Sequence, residues 1–231
     1  MNVDLIGVFS NSITIVLGSI LGIIIGDKIK EEYSETILKG LGIAIVVLGI
    51  QSAIKMDNTL IVLISLALGA LIGESVNIEG KMESLSEKAE KKLGKKAKGF
   101  SAGFMTATLM YCVGSLAILA SIQAGAMGDN SLIYTKAVLD GIISIILAST
   151  LGIGVVFSAI PVFVYQGLIA LLASFFEGLM TPVIINDMNS VGGIIIICIG
   201  LKVTKMLDVR VGNMLPALFL PVIYHIVVGL F

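Results

Sequence analysis

Long apolar runs fill the chain, separated by short polar gaps that hold almost all of its basic residues. A helix that crosses a bilayer needs about 20 mostly apolar residues. The pattern predicts eight such spans: Val3–Gly26, Ile37–Ile54, Thr59–Val76, Phe100–Gln123, Ser131–Ala148, Gly152–Phe176, Val191–Met206 and Met214–Leu230. The fifth and sixth divide a single apolar tract, Leu132–Phe176, at Ser149-Thr150-Leu151-Gly152. Short or re-entrant helices are an alternative there, provided their backbone is covered by protein. The longest polar stretch is Asn77–Gly99. It spaces Met82, Leu85, Ala89, Leu93 and Ala97 at helical intervals among Lys and Glu, as a helix lying on an anionic membrane surface would. A solvated connector carrying topology charges is the plainer reading.

The basic residues give the spans a direction, because Lys and Arg stay in the cytoplasm. Lys81, Lys88, Lys91, Lys92, Lys95, Lys96 and Lys98 share the long gap. Lys28, Lys30 and Lys39 follow span one, and Lys202, Lys205 and Arg210 follow span seven. These gaps fall on one side of an eight-span chain and leave only Lys55 and Lys136 elsewhere. The expected location is the inner (plasma) membrane, multi-pass, with both termini outside.

Composition narrows the class further. Hydrophobic residues make up 57% of the 231 residues and charged ones 13%, too little polar surface to cover a soluble fold of this size. The formal net charge of −1 argues against a nucleic-acid partner. Cys112 and Cys198 lie within apolar runs and read as small buried hydrophobes. No nucleophile–base set, phosphate loop or His/Glu metal spacing is visible, so no catalytic residue, metal or cofactor is assigned and an enzyme is not expected. Asp4 in place of a basic leader argues against a cleaved signal peptide.

Two stretches resemble each other. Gly40-Leu41-Gly42-Ile43 runs through Val47-Leu48-Gly49-Ile50 to Lys55-Met56-Asp57, and Val191-Gly192-Gly193-Ile194 runs through Cys198-Ile199-Gly200-Leu201 to Lys205-Met206. Gly42 matches Gly193, and Gly49 matches Gly200. The copies lie on spans two and seven, five places apart in span order, so they cross in opposite senses, as the inverted repeats of secondary transporters do, although Gly/Ile-rich helices also match by chance. Gly18, Gly22 and Gly26 have the spacing that lets helix backbones approach. Gly114-Ser115, Pro161, Pro216 and Pro221 fall inside spans and predict broken helices.

Polar groups at depth are the site candidates. Asp140 and Lys136, four residues apart on span five, share a helix face and can pair. A lone charge there costs at least about 2.5 kcal/mol, so a partner is expected. Either the pair gates a path, or Asp140 carries a proton or cation, or Lys136 snorkels outward and Asp140 packs against Ser and Thr hydroxyls. Asn11, Gln51, Gln123, Gln166, Gly114 and Ser115 complete the expected substrate or ion pathway; helix–helix hydrogen bonding is the alternative role of the polar side chains, and a kink without function that of Gly114. His225, the only histidine, reads as a helix–helix hydrogen bond more readily than a proton relay.

Several of these segments together carry a family resemblance. Tyr111-Cys112-Val113-Gly114-Ser115-Leu116-Ala117-Ile118-Leu119-Ala120-Ser121-Ile122-Gln123, Gly128-Asp129, Lys136 with Leu139-Asp140-Gly141, Ala148-Ser149-Thr150-Leu151-Gly152, Tyr165-Gln166-Gly167 and Val211-Gly212-Asn213-Met214-Leu215-Pro216-Ala217 resemble bacterial membrane proteins of the YdfK/YqgA type. The resemblance covers nearly the whole chain. It implies a membrane protein from a family of unknown function, described as transport proteins, with no established substrate.

The expected fold is an all-α, polytopic transmembrane helical bundle of about eight spans, with an inverted-topology repeat and broken helices. Residues 1–231 form a single integral membrane domain, with repeat halves 1–76 and 152–231 linked by 77–151. The expected function is secondary transport of a small solute or ion at a midplane site. The alternatives are an oligomeric channel, or a non-transporting scaffold or sensor that works through its Lys-rich loop. The expected partners are the lipid bilayer and an unknown small solute or ion, and a homo-oligomer is allowed.

Overall fold

Inside a bilayer each backbone N–H and C=O has to be paired within its own segment, so apolar runs of this length are helical. The computed structural model describes residues 5–26, 31–93, 99–113, 115–173 and 179–229, and every regular element among them is a helix. The helices are α1 (Ile6–Gly26), α2 (Glu31–Ala53), α3 (Thr59–Val76), α4 (Ile78–Leu93), α5 (Phe100–Cys112), α6 (Ser115–Met127), α7 (Ser131–Leu151), α8 (Gly154–Phe157), α9 (Ala159–Leu171), α10 (Pro182–Val203), a 3-10 helix Val211–Phe219 and α11 (Leu220–Gly229).

Six stretches among these residues, one of them joining α8 and α9, are long and apolar enough to cross a membrane. The bent pair Phe100–Cys112 and Leu116–Met127, whose axes meet at 62°, brings the number to seven if it crosses as one unit. The eight spans read from the sequence are therefore not confirmed. The fourth is broken between Cys112 and Ser115, as its Gly-Ser pair predicts, and the last divides into the 3-10 helix and α11. The sixth breaks after residue 157, and the seventh begins nine residues earlier than expected.

Local chemistry explains the ends. The Asn58 side chain accepts from the Ile61 N–H at 3.3 Å and caps α3. Asn77 takes the left-handed conformation (φ 53°) that closes α3 and lets α4 start one residue later. Gly152 (φ +71°) breaks the Leu132–Phe176 tract. Thr181 caps α10 with Pro182 in its first turn. Pro161 and Pro221 likewise fall in the first turn of α9 and α11, so they begin helices rather than kink them, and Pro216 lies inside the 3-10 helix.

Two compact units are interleaved along the chain. Met1–Leu38, Met82–Cys112 and Leu116–Glu177 form the first, and Lys39–Lys81, Val113–Ser115 and Gly178–Phe231 form the second. In the first unit, Gly18 meets the Gly141 carbonyl, Gly22 that of Ile145 and Gly26 that of Ser149. The contacts advance in the same direction on both helices, so α1 and α7 run parallel. In the second unit, a methyl group on Gly49 would lie 2.6 Å from the Gly193 carbonyl, and one on Gly193 would lie 2.6 Å from the Gly49 carbonyl. Gly42 and Gly200 oppose each other in the same reciprocal way, so α2 and α10 run antiparallel. Gly69 and Gly73 of α3 meet Ala217 and Asn213, again antiparallel.

Candidate functional site

The first unit holds a buried polar layer. The Lys136 ammonium pairs with Asp140 Oδ2, one turn apart on α7. Asn11 of α1 donates from Nδ2 to the same Asp140 oxygen at 3.1 Å and to Gln166 Oε1 of α9 at 2.9 Å. Asn11 and Gln166 are 0% exposed, Lys136 4% and Asp140 5%, so the layer is closed off in this conformation and Lys136 does not snorkel. One turn further along α7, Ser144 Oγ lies 2.7 Å from the Tyr111 hydroxyl of α5. The Lys136 ammonium sits 5.8 Å from the centre of the Tyr111 ring, within cation–π range.

Apolar layers flank this polar one on the same helix faces. On one side Val8, Ala120, Ala124, Ile133 and Ala170 pack together. On the other, Ile15, Ala107, Tyr111, Cys112, Leu147, Ala148, Val155, Ala159 and Val162 form a larger cluster. Along α1 the order is Val8, Asn11, Ile15; along α9 it is Val162, Gln166, Ala170. Helical spacing of three and four residues is what stacks dry, polar and dry levels in this way.

Within the layer some polar atoms have no partner. Asn11 Oδ1 and Gln166 Nε2 are buried and unbonded, as are the Thr108 and Tyr165 hydroxyl oxygens elsewhere in the unit. A buried polar group without a partner costs about 1–3 kcal/mol, so each such atom calls for an explanation, and a binding role is one.

Four of the sequence candidates thus meet: Asn11, Lys136, Asp140 and Gln166. Others do not. Gln123 instead donates to Asp129 Oδ2 at 2.5 Å in the α6–α7 connection. There the Ser131 backbone N–H, with help from Gln123, holds the Asp129 carboxyl below the usual carboxylate range. Gln51 is exposed on the second unit's part of α2. Gly114 lies outside the described residues, as does the side chain of Ser115, whose backbone opens α6.

The second unit carries two constellations that sequence reasoning passed over. Asp187 on α10 is 0% exposed and bonded to His225 Nε2 of α11 at 3.0 Å, with its Oδ1 unpartnered. His225 therefore makes the expected helix–helix bond. It also lines a cleft of about 260 Å³ with Leu179, Thr181, Ile184 and Ile226. Nearby on α10, Asn186 donates to the Lys55 carbonyl at 2.6 Å and to Asp57 at 2.5 Å. The other constellation is Glu79, 1% exposed in the first turn of α4. It pairs with Lys202 and accepts the Gly212 N–H at 2.6 Å, while its own N–H donates to Asn213 Oδ1 at 2.8 Å. Arg210 pairs with Glu74 at 2.9 Å beside it. The Thr181-Pro182 start signal would have placed Asp187 inside a helix rather than in a gap.

Comparison with known proteins agrees with this picture of apolar helices. The family described as "Protein of unknown function (DUF554)" matches residues 6–226. The chain is similar to "Uncharacterized membrane protein YdfK" of Bacillus subtilis (strain 168), 34% identical over 229 residues and covering 97% of each chain. It is also similar to "Uncharacterized protein YqgA" of Escherichia coli (strain K12), 29% identical over 220 residues, covering 93% of this chain and 94% of the relative. No solved structure matches.

Proposed function

This chain belongs to the DUF554 family of membrane proteins, and we propose that it is a secondary transporter of a small solute, with its site at the Asn11–Lys136–Asp140–Gln166 layer. The observation that carries the reading is the layer itself: a paired charge and two half-satisfied amides, enclosed between apolar clusters, within apolar helices. Ionisable side chains at such depth are expensive, and they concentrate on substrate and ion routes. Transport needs the site to open to one side at a time, and the two dry levels are the natural closures. The level containing Val8 and Ile133 is the smaller, with three alanines among its five residues, and is the easier one to part.

The inverted repeat fits the same reading. Exchanging Gly42 with Gly193 and Gly49 with Gly200 converts each reciprocal α2–α10 contact into the other, the relation a local two-fold axis would produce. The proposed setting is a bacterial inner membrane with the Lys-rich segment inside and both termini outside.

The test is exchange in proteoliposomes, using radiolabelled amides, amino acids, organic acids and alkali cations. One class should exchange, and Asp140→Asn should abolish exchange while the elution volume and helical circular dichroism match the wild type. Undiminished exchange in that variant would overturn the assignment.

A further inference from the structure

The hydrogen bonds of the polar layer fix the orientation of both amides, and with it the chemistry the layer can recognise. An ionised carboxylate only accepts, so Asn11 has to turn its NH2 toward Asp140. The same nitrogen donates to Gln166, so Gln166 has to turn its carbonyl toward Asn11 and its own NH2 away. Flipping Asn11 would set its oxygen against the Asp140 and Gln166 acceptors, and flipping Gln166 would set two NH2 donors against each other, so the nitrogen and oxygen positions follow from the charge on Asp140. What remains is one unpartnered acceptor, Asn11 Oδ1, and one unpartnered donor, Gln166 Nε2, on side chains that are 0% exposed.

Charge sets the second condition. Lys136 already neutralises Asp140, and the levels above and below are apolar. A ligand with net charge would enter without a counter-charge, which a dry site penalises heavily. A neutral group that offers both a hydrogen-bond donor and an acceptor satisfies both orphaned atoms and leaves the ion pair intact.

We infer that the site takes an electroneutral solute of the carboxamide class, presenting an N–H to Asn11 Oδ1 and an oxygen to Gln166 Nε2. This rests on the transporter reading for its location but makes its own claim about chemistry. Three probes of one carbon skeleton test it: butyramide, butyrate and butylammonium, titrated against the thermal midpoint of the purified full-length protein, since a ligand of the native state raises that midpoint. Butyramide should half-saturate at a concentration at least tenfold below that of either charged probe. Gln166→Leu should raise that concentration at least tenfold. Gln166→Glu, which replaces the donor with an oxygen and adds a negative charge, should move the preference to butylammonium, a switch that a purely structural glutamine would not produce.

Preference of the wild type for either charged probe or for an alkali cation, equal response to all three probes, or no response to butyramide would overturn the inference, whether or not the variants fold. The two claims fail separately. Exchange of an ion that depends on Asp140 would keep the transporter and remove the carboxamide, whereas selective butyramide binding without exchange would do the reverse.

Discussion

At the scale of single residues, the Lys136–Asp140 pair dominates the energetics of the first unit. Both side chains are almost completely buried. Breaking a buried pair by removing one partner typically costs about 3–5 kcal/mol, because the other charge is stranded, whereas replacing both is far cheaper. Lys136→Met and Asp140→Asn should therefore each lower the thermal midpoint strongly, and the double variant should be more stable than either single one. Unfolding in detergent measures this, and additive losses would show that the charges do not depend on each other. The pair was legible in the sequence because i,i+4 spacing fixes a shared helix face. Asn11 and Gln166 were legible only as amides at depth. That Asn11 bridges Asp140 and Gln166 while Gln51 and Gln123 face elsewhere is decided by packing between segments more than 100 residues apart. Asp187 and Glu79 escaped notice because each lies beside polar neighbours that lower local hydropathy, so both read as gap residues. Their burial depends on His225, Lys202 and Gly212, again distant in the chain.

At several glycines the helices approach to backbone contact. Gly18 is buried on α1 against the Gly141 carbonyl of α7, and a methyl group there would collide with it. Gly40, on α2, has nothing within 4 Å of the same position. Gly18→Ala should cost about 1–3 kcal/mol through overpacking. Gly40→Ala should be neutral or stabilising by up to about 1 kcal/mol, since alanine is the better helix former. The two thermal midpoints should move in opposite directions or differ by several degrees; equal shifts would mean that α1 and α7 do not touch as described. The sequence predicted this glycine spacing, and it predicted most helix positions because apolar runs of about 20 residues are unambiguous. It misplaced breaks where a proline or a Thr-Pro pair starts a new helix inside an apolar run. Hydropathy registers only the run, and the turn chemistry at Ser158–Pro161 and Thr181–Pro182 decides where the helix begins.

For the whole molecule, the parallel course of α1 and α7 constrains how the chain threads the bilayer. Two parallel helices that both cross must be separated by an odd number of crossings. Between them lie α2, α3 and the bent pair α5–α6. If α2 and α3 each cross, the bent pair is expected to cross as well rather than turn back, with the α6–α7 connection opposite α4. The charge pattern predicts the same arrangement, with Asp129 outside and the lysines of α4 inside. The contacts within the second unit also sort in this way. The last turn of α10 meets the start of α4 through Lys202 and Glu79, while Lys55 and Asp57 meet Asn186 near the start of α10. With Cys112 and Cys198 replaced by alanine, an impermeant maleimide should label the Asp129→Cys variant in intact cells and the Glu87→Cys variant only after permeabilisation. Labelling of both from one side would make α5–α6 a re-entrant hairpin. It would also place the Val8–Ile133 and Tyr111–Leu147 levels on a different route through the protein from the one alternating access requires.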